Sequence, residues 1–159
     1  EIREYIFCPY FIEPYAVGQT TYVIGQLFDQ DAYRTFKIER ITRVEIQPTS
    51  YTIPPDFDPQ ELLKDAWGIW FTRENPTSIV LRFDETVSRR VQESRWHRSQ
   101  SLEGQPDGSL IWRAEIAEWK EMLPWIKGWG AHVEVLEPEE LRRLMAAEAQ
   151  QMAALYSAA

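Results

Sequence analysis

Four cations fall within ten residues: Arg34, Lys37, Arg40 and Arg43, interrupted by one acid, Glu39. Guanidinium forks bind phosphate bidentately and keep their charge at any physiological pH, so this pattern points to capture of a phosphate-bearing anion. On a straight strand Arg34 and Arg40 share a face but stand ~20 Å apart, so a bend must bring them around one pocket. Tyr22, on the preceding strand, is placed to stack a base, an interaction worth ~1–3 kcal/mol. Basic residues interleaved with an aromatic suit a nucleotide or a single strand. The alternative is that these cations pair with Asp29, Asp31, Glu39 and Glu45 along a solvated edge strand, and spacing alone favours that alternative. A second basic stretch, Trp96-His97-Arg98-Ser99-Gln100 after Arg95, offers His97 and Arg98 as secondary anion contacts. Its competing reading is capping and packing, because a helix C-terminus favours cations in any case.

The elements that must position these residues change character near residue 54. Before it, YIFCPYFIEPYAV, TTYVIGQLF and RTFKIERITRVEIQP read as strands, with Gly18-Gln19 as a turn between the first two. The mixed faces of the third predict a bend or bulge near Glu39 to Thr42. Three short strands with close turns read as part of a small β-barrel. Ile53 to Pro59 is a linker by composition, and Asp58 caps a short helix over roughly 59–67. After it come the strand SIVLRF, a helix capped by Asp84, and two strands joined by Pro106-Asp107-Gly108. The helix EWKEMLPWIKGW follows, kinked or shortened by Pro124, with Trp119, Leu123 and Ile126 on one stripe. The strand AHVEVLE then leads into a long helix opened by Pro138. Its apolar stripe is Leu141, Leu144, Met145, Met152, Leu155 and Tyr156. The order β-α-β-β-α-β is the split βαβ pattern of ferredoxin-like domains.

Composition narrows the function. The 159 residues are 44% hydrophobic and 26% charged with a net charge of −8, a globular balance that excludes a uniformly basic nucleic-acid glove but not a local basic patch. No apolar run approaches the ~20 residues of a membrane span, and the first residues lack the features of a signal peptide. One cysteine, Cys8, cannot make an internal disulfide, which fits a reducing cytoplasm, and beside Pro9 it reads as a small buried hydrophobe. One Cys with His97 and His132 makes a zinc site unexpected, and His132 reads as a packed histidine. No nucleophile elbow, P-loop, metalloprotease helix or dinucleotide fingerprint is present, so neither an enzyme nor a cofactor is expected. Most of the seven tryptophans, all after residue 66, are expected in the core of the second half, with Trp67 and Trp70 as interdomain or dimer contacts.

Four stretches together resemble the WYL-domain family of bacterial transcriptional regulators and its C-terminal WCX extension. They are PYFIEPYAVGQTTYVIG, RTFKIERITRV, WHRSQ followed by DGSLIWRAEI, and WIKGWGAHVEVLEPEELR. The name-giving triplet stands here as Thr21-Tyr22-Val23, and Lys37 stands where arginine is common. The resemblance covers about residues 9–150. It implies an α+β protein: a partial Sm-like or SH3-like barrel over 1–53, a linker with a short helix over 54–77, and a ferredoxin-like extension with a C-terminal helix over 78–159. It also implies a ligand-sensing homodimer that controls an N-terminal helix-turn-helix DNA-binding domain. That domain and the first barrel strand are expected to lie ahead of Glu1, which is not a methionine. The implied effector is anionic, a nucleotide-like molecule or single-stranded nucleic acid, held by Tyr22, Arg34, Lys37 and Arg40 with Arg43 nearby. Duplex DNA is expected only through the missing domain. A dimerisation scaffold without a small ligand is the competing class.

Overall fold

The computed structural model describes residues 2–15 and 19–157. The chain is mixed α and β, with two antiparallel sheets and a C-terminal helix, and it divides into two compact units, Glu1–Leu63 and Lys64–Ala159.

The first unit is a three-stranded antiparallel sheet in the order β1-β2-β3, with β1 at Phe7–Tyr15, β2 at Thr20–Leu27 and β3 at Tyr33–Lys37. The central β2 carries the β-branched run that the sequence reading weighted most, and its Ile24 is fully buried. Gly25 is required by a close approach: a Cβ there would stand 2.1 Å from the Cys8 carbonyl oxygen and 2.8 Å from Phe7 Cζ. The β1 register shifts between Pro9 and Phe11 at the same place, so β1 bends over the glycine. Cys8 is free and buried, as its composition suggested. The Gly18 turn lies outside the described residues; its neighbour Gln19 has φ 48°.

The third strand is shorter than its sequence pattern. It ends at Lys37, a 3₁₀ turn occupies Ile38–Arg40, and residues 41–50 join no sheet. The predicted bend therefore exists, but it comes at its early edge and ends the strand. Glu39 supplies the reason: its carboxylate reaches back to β2 and folds the chain over. The first helix, α1, is also shorter than expected, spanning Pro59–Leu62, with Asp58 accepting from the Gln60 amide.

The second unit holds a four-stranded sheet in the order β5-β6-β4-β7, from β4 (Thr77–Phe83), β5 (Ser101–Gly104), β6 (Leu110–Ile116) and β7 (Val133–Glu137). Each neighbouring pair is antiparallel. Helix α2 (Glu85–Gln92) follows β4, α3 (Leu123–Lys127) follows β6, and α4 (Glu139–Ser157) follows β7. Alternation decides which face is core: Ile79, Leu81 and Phe83 of β4 and Leu110, Trp112, Ala114 and Ile116 of β6 are buried, meeting Val91, Met122, Ile126, Val135 and Leu141. Full burial of each large side chain contributes ~1.5–3 kcal/mol. The β5–β6 turn follows its sequence: Gly108 has φ 81° and its amide bonds the Gln105 carbonyl.

Three expectations change here. The predicted helix around Trp119–Trp129 divides into a 3₁₀ segment, Trp119–Met122, and α3, so Pro124 lies in a first turn, where its missing N–H costs nothing. Trp67 takes a place in the core of the second unit, packed on Trp112 and Trp125 at centroid distances of 6.3 and 4.8 Å. The α4 stripe is buried only at its start: Leu141 is covered and Leu144 and Met145 partly so, whereas Met152, Leu155 and Tyr156 are exposed.

Gly25→Ala is expected to destabilise the first unit by about 1–3 kcal/mol, because backbone rather than a flexible side-chain tip must yield. Urea unfolding followed by tyrosine fluorescence or backbone amide exchange in residues 7–37 reads the loss.

Candidate functional site

Register decides which of the basic residues share a face. Tyr22 is the cross-strand partner of Lys37 on one side and of Glu13 on the other, so these three point the same way. Arg34 pairs with Gly25, three positions from Lys37, and so projects from the opposite face. Its guanidinium is exposed and bonds the Tyr33 carbonyl at 3.0 Å. Arg40 is exposed at the end of the 3₁₀ turn, three residues beyond Lys37, whose own backbone is still extended. Arg43 is exposed and ion-pairs with Glu45. The register thus sets Tyr22 beside Lys37, with Arg34 on the opposite face and Arg40 in the turn that follows.

The acid among these cations is committed elsewhere. Glu39 Oε2 accepts from the Thr20 hydroxyl at 2.8 Å, and Oε1 from the Thr21 amide at 3.2 Å. The Thr20 hydroxyl, foremost, holds the Glu39 carboxyl below the usual carboxylate range. Among the described residues no carboxylate forms an ion pair with Lys37 or Arg40. Tyr22 meets Tyr15 in a T-shaped arrangement at 5.9 Å, which steadies the ring. What results is a small basic surface with one aromatic beside it, able to hold an anionic group and stack a planar one.

The WHRSQ stretch takes a different form. His97 is buried, stacked on Trp67 at 6.4 Å, with Nε2 3.2 Å from the Ala66 carbonyl and Nδ1 2.8 Å from Ser99 Oγ. Gln100 is its hub: one side-chain oxygen accepts from the Trp96 amide at 2.6 Å, the His97 amide at 3.1 Å and Trp112 Nε1 at 3.4 Å. Arg98 is exposed, and its carbonyl accepts from Arg95. Spacing hinted at this capping role but did not name Gln100 as the acceptor.

Sequence reasoning missed the anchor at Glu121 and the second partner of Asp84. Glu121 accepts from three successive amides, Gly68 and Ile69 at 2.8 Å and Trp70 at 3.1 Å. No local signal could announce a contact between residues more than fifty apart. Asp84 caps α2 through the Thr86 amide and also meets His132 Nδ1 at 2.7 Å. Thr86 and then His132 hold the Asp84 carboxyl low. His132 is about half exposed, a surface partner rather than a packed core residue. Among the described residues no group of three His, Cys, Asp or Glu is placed to hold a metal ion, and no helix is long and apolar enough to cross a membrane.

Comparison with known proteins places this architecture. The WYL domain model matches residues 1–46, and the WCX domain model matches residues 75–153. The chain carries a WYL domain followed by a WCX domain. Among solved structures this WYL–WCX chain is similar to proteasome accessory factor B/C (PafBC) of Arthrobacter aurescens, at 17% identity and a TM-score of 0.36. The match covers 90% of this chain and 21% of that one, and at such a score it carries no argument. No curated protein matches the chain.

Burial pushes the His97 imidazole below its usual value. The unfolded chain therefore takes up protons more readily below pH ~6.5, so stability is present above that pH and is lost as pH falls through the folded value. All seven tryptophans lie between Trp67 and Trp129, so their fluorescence reports the second unit alone. Urea midpoints read this way should fall between pH ~6.5 and ~5, above the range in which carboxylates titrate. His97→Gln should be less stable by about 1–3 kcal/mol at pH 7.5 and should flatten that slope.

Proposed function

We propose that this chain is the ligand-sensing, regulatory C-terminal region of a transcription regulator, without enzymatic activity of its own. The reading adds that the effector is an anionic nucleotide-like molecule or a single-stranded nucleic acid. One observation supports it: Tyr22 is the cross-strand partner of Lys37, Arg40 follows in the next turn, and Glu39, the acid between the two cations, is engaged by Thr20 and Thr21. Lys37 and Arg40 would hold phosphate oxygens and Tyr22 would stack a base. Arg34, on the other face, would add to the local field, as would Arg43. The acidic remainder, in a chain of net charge −8, would repel duplex DNA and leave that task to a helix-turn-helix domain ahead of residue 1. The WYL and WCX matches support the regulatory class.

The same proposal extends to architecture. The three-stranded sheet would belong to an Sm-like barrel, with domain limits at 1–53, 54–77 and 78–159. The order β5-β6-β4-β7 with its βαββαβ connections supports a ferredoxin-like extension. A cytoplasmic homodimer fits the regulator class. The second reading, a dimerisation scaffold without a small ligand, draws support from half-exposed Trp70 and from exposed Met152, Leu155 and Tyr156.

Fluorescence anisotropy of short labelled oligonucleotides, measured against salt, tests the effector reading. Lys37→Ala with Arg40→Ala should weaken binding at least about tenfold and reduce the salt slope by about 0.7 per lost phosphate contact. Unchanged affinity and slope would reject the assignment. A dimer that neither binds oligonucleotides nor gains thermal stability from nucleotides would favour the scaffold.

A further inference from the structure

The first unit also carries a pocket of opposite character, remote in chemistry from the basic turn. Tyr10, Gln26, Phe28, Asp29, Asp31 and Tyr51 are among its lining residues, and no lysine or arginine lines it. Its phenol rings are fixed from behind. The Tyr10 hydroxyl donates to Gln26 Oε1 at 2.7 Å, and the Tyr51 hydroxyl donates to the Pro9 carbonyl. Their rings lie nearly parallel, 16° apart with centroids separated by 6.2 Å. Tyr10 is further braced edge-on by Phe57 at 4.9 Å and Tyr33 at 5.9 Å. Phe28 is half exposed, and Asp29 is exposed at the same turn. Asp31 is oriented by Gln26 Nε2 at 3.3 Å.

Aromatic rings beside the exposed Asp29 carboxylate, with no lysine or arginine among the described lining residues, favour an organic cation. Hydrated metal ions gain little from ring faces, and anions are repelled by both acids. A planar guanidinium suits the site better than an ammonium, because it can lie flat on a phenol ring while its N–H fork reaches a carboxylate or amide oxygen. Because burial raises the Tyr10 and Tyr51 phenols above their ordinary range, both rings stay neutral at working pH.

We propose that the pocket formed by Tyr10, Tyr51, Phe28, Asp29 and Asp31 binds a guanidinium group. Two sources share this chemistry, a free small guanidine and an arginine side chain presented by a peptide. The proposal stands independently of the anion site at Lys37 and Arg40.

Backbone amide NMR of the full 159-residue chain tests it, titrated in parallel with methylguanidinium, its neutral isostere methylurea, and a capped Gly-Arg-Gly peptide. Methylguanidinium should shift amides of residues 26–31 and 51–52, and methylurea should not. Asp29→Asn, at an exposed turn position where folding is not at stake, should weaken binding by about two- to fivefold. Adding Asp31→Asn, whose amide oxygen still accepts from Gln26, should weaken it further. A peptide at least about tenfold tighter than methylguanidinium supports a peptide source, and equal affinity supports a free small molecule. The proposal is overturned by an absence of shifts at those residues, by equal perturbation from methylurea, or by a double variant that binds as well as the parent.

Discussion

The first unit turns on where one carboxylate goes. Glu39 lies between Lys37 and Arg40 in sequence, and a carboxylate left free there would neutralise both. It instead bonds the Thr20 hydroxyl and the Thr21 amide. That contact folds the 3₁₀ turn onto β2 and engages the carboxylate, so that among the described residues neither Lys37 nor Arg40 forms a close ion pair, although Lys37 still feels the Glu39 charge. The first of these bonds satisfies Thr20, which is almost completely buried and whose hydroxyl would otherwise be desolvated at a cost of ~1–3 kcal/mol. A local structural requirement and a local electrostatic consequence are thus one interaction.

The second unit applies similar economy with side-chain oxygens. Gln100 collects three N–H donors at one oxygen, and Glu121 collects three amides of the 68–70 loop with two. Around them Trp125 touches Trp67, Trp96, Trp112 and Trp129, with centroids 4.8 to 6.0 Å away. Loops that would otherwise expose backbone donors to an apolar interior are pinned to it by side chains from distant elements. His97 belongs to that interior, and its nitrogens are occupied there by Ala66 and Ser99.

Much of this was legible in sequence because its causes are local. Alternation marked β4 and β6, Asp58 and Asp84 declared their caps, and Pro106-Asp107-Gly108 declared its turn. The cluster of Lys37 and Arg40 was visible as charge density. What sequence could not show depends on register and long-range pairing. Strand parity linked Arg34 with Arg40, but the 3₁₀ turn broke that parity after Lys37. The pairing of Tyr22 with Lys37 needs the β2–β3 register, and the Glu121 anchor spans more than fifty residues. The pocket around Tyr10 and Tyr51 joins residues forty-one apart that carry no motif.

The central claim is that a single acid, withdrawn by two threonines, leaves a cationic corner available beside an aromatic ring. Its most direct measurement is backbone NMR of the chain titrated with a short oligothymidylate at moderate salt. The account predicts that shifts concentrate at Thr20–Tyr22 and Lys37–Arg40 and are small elsewhere. Shifts spread evenly over the surface, or centred on the second unit while these residues stay silent, would contradict it.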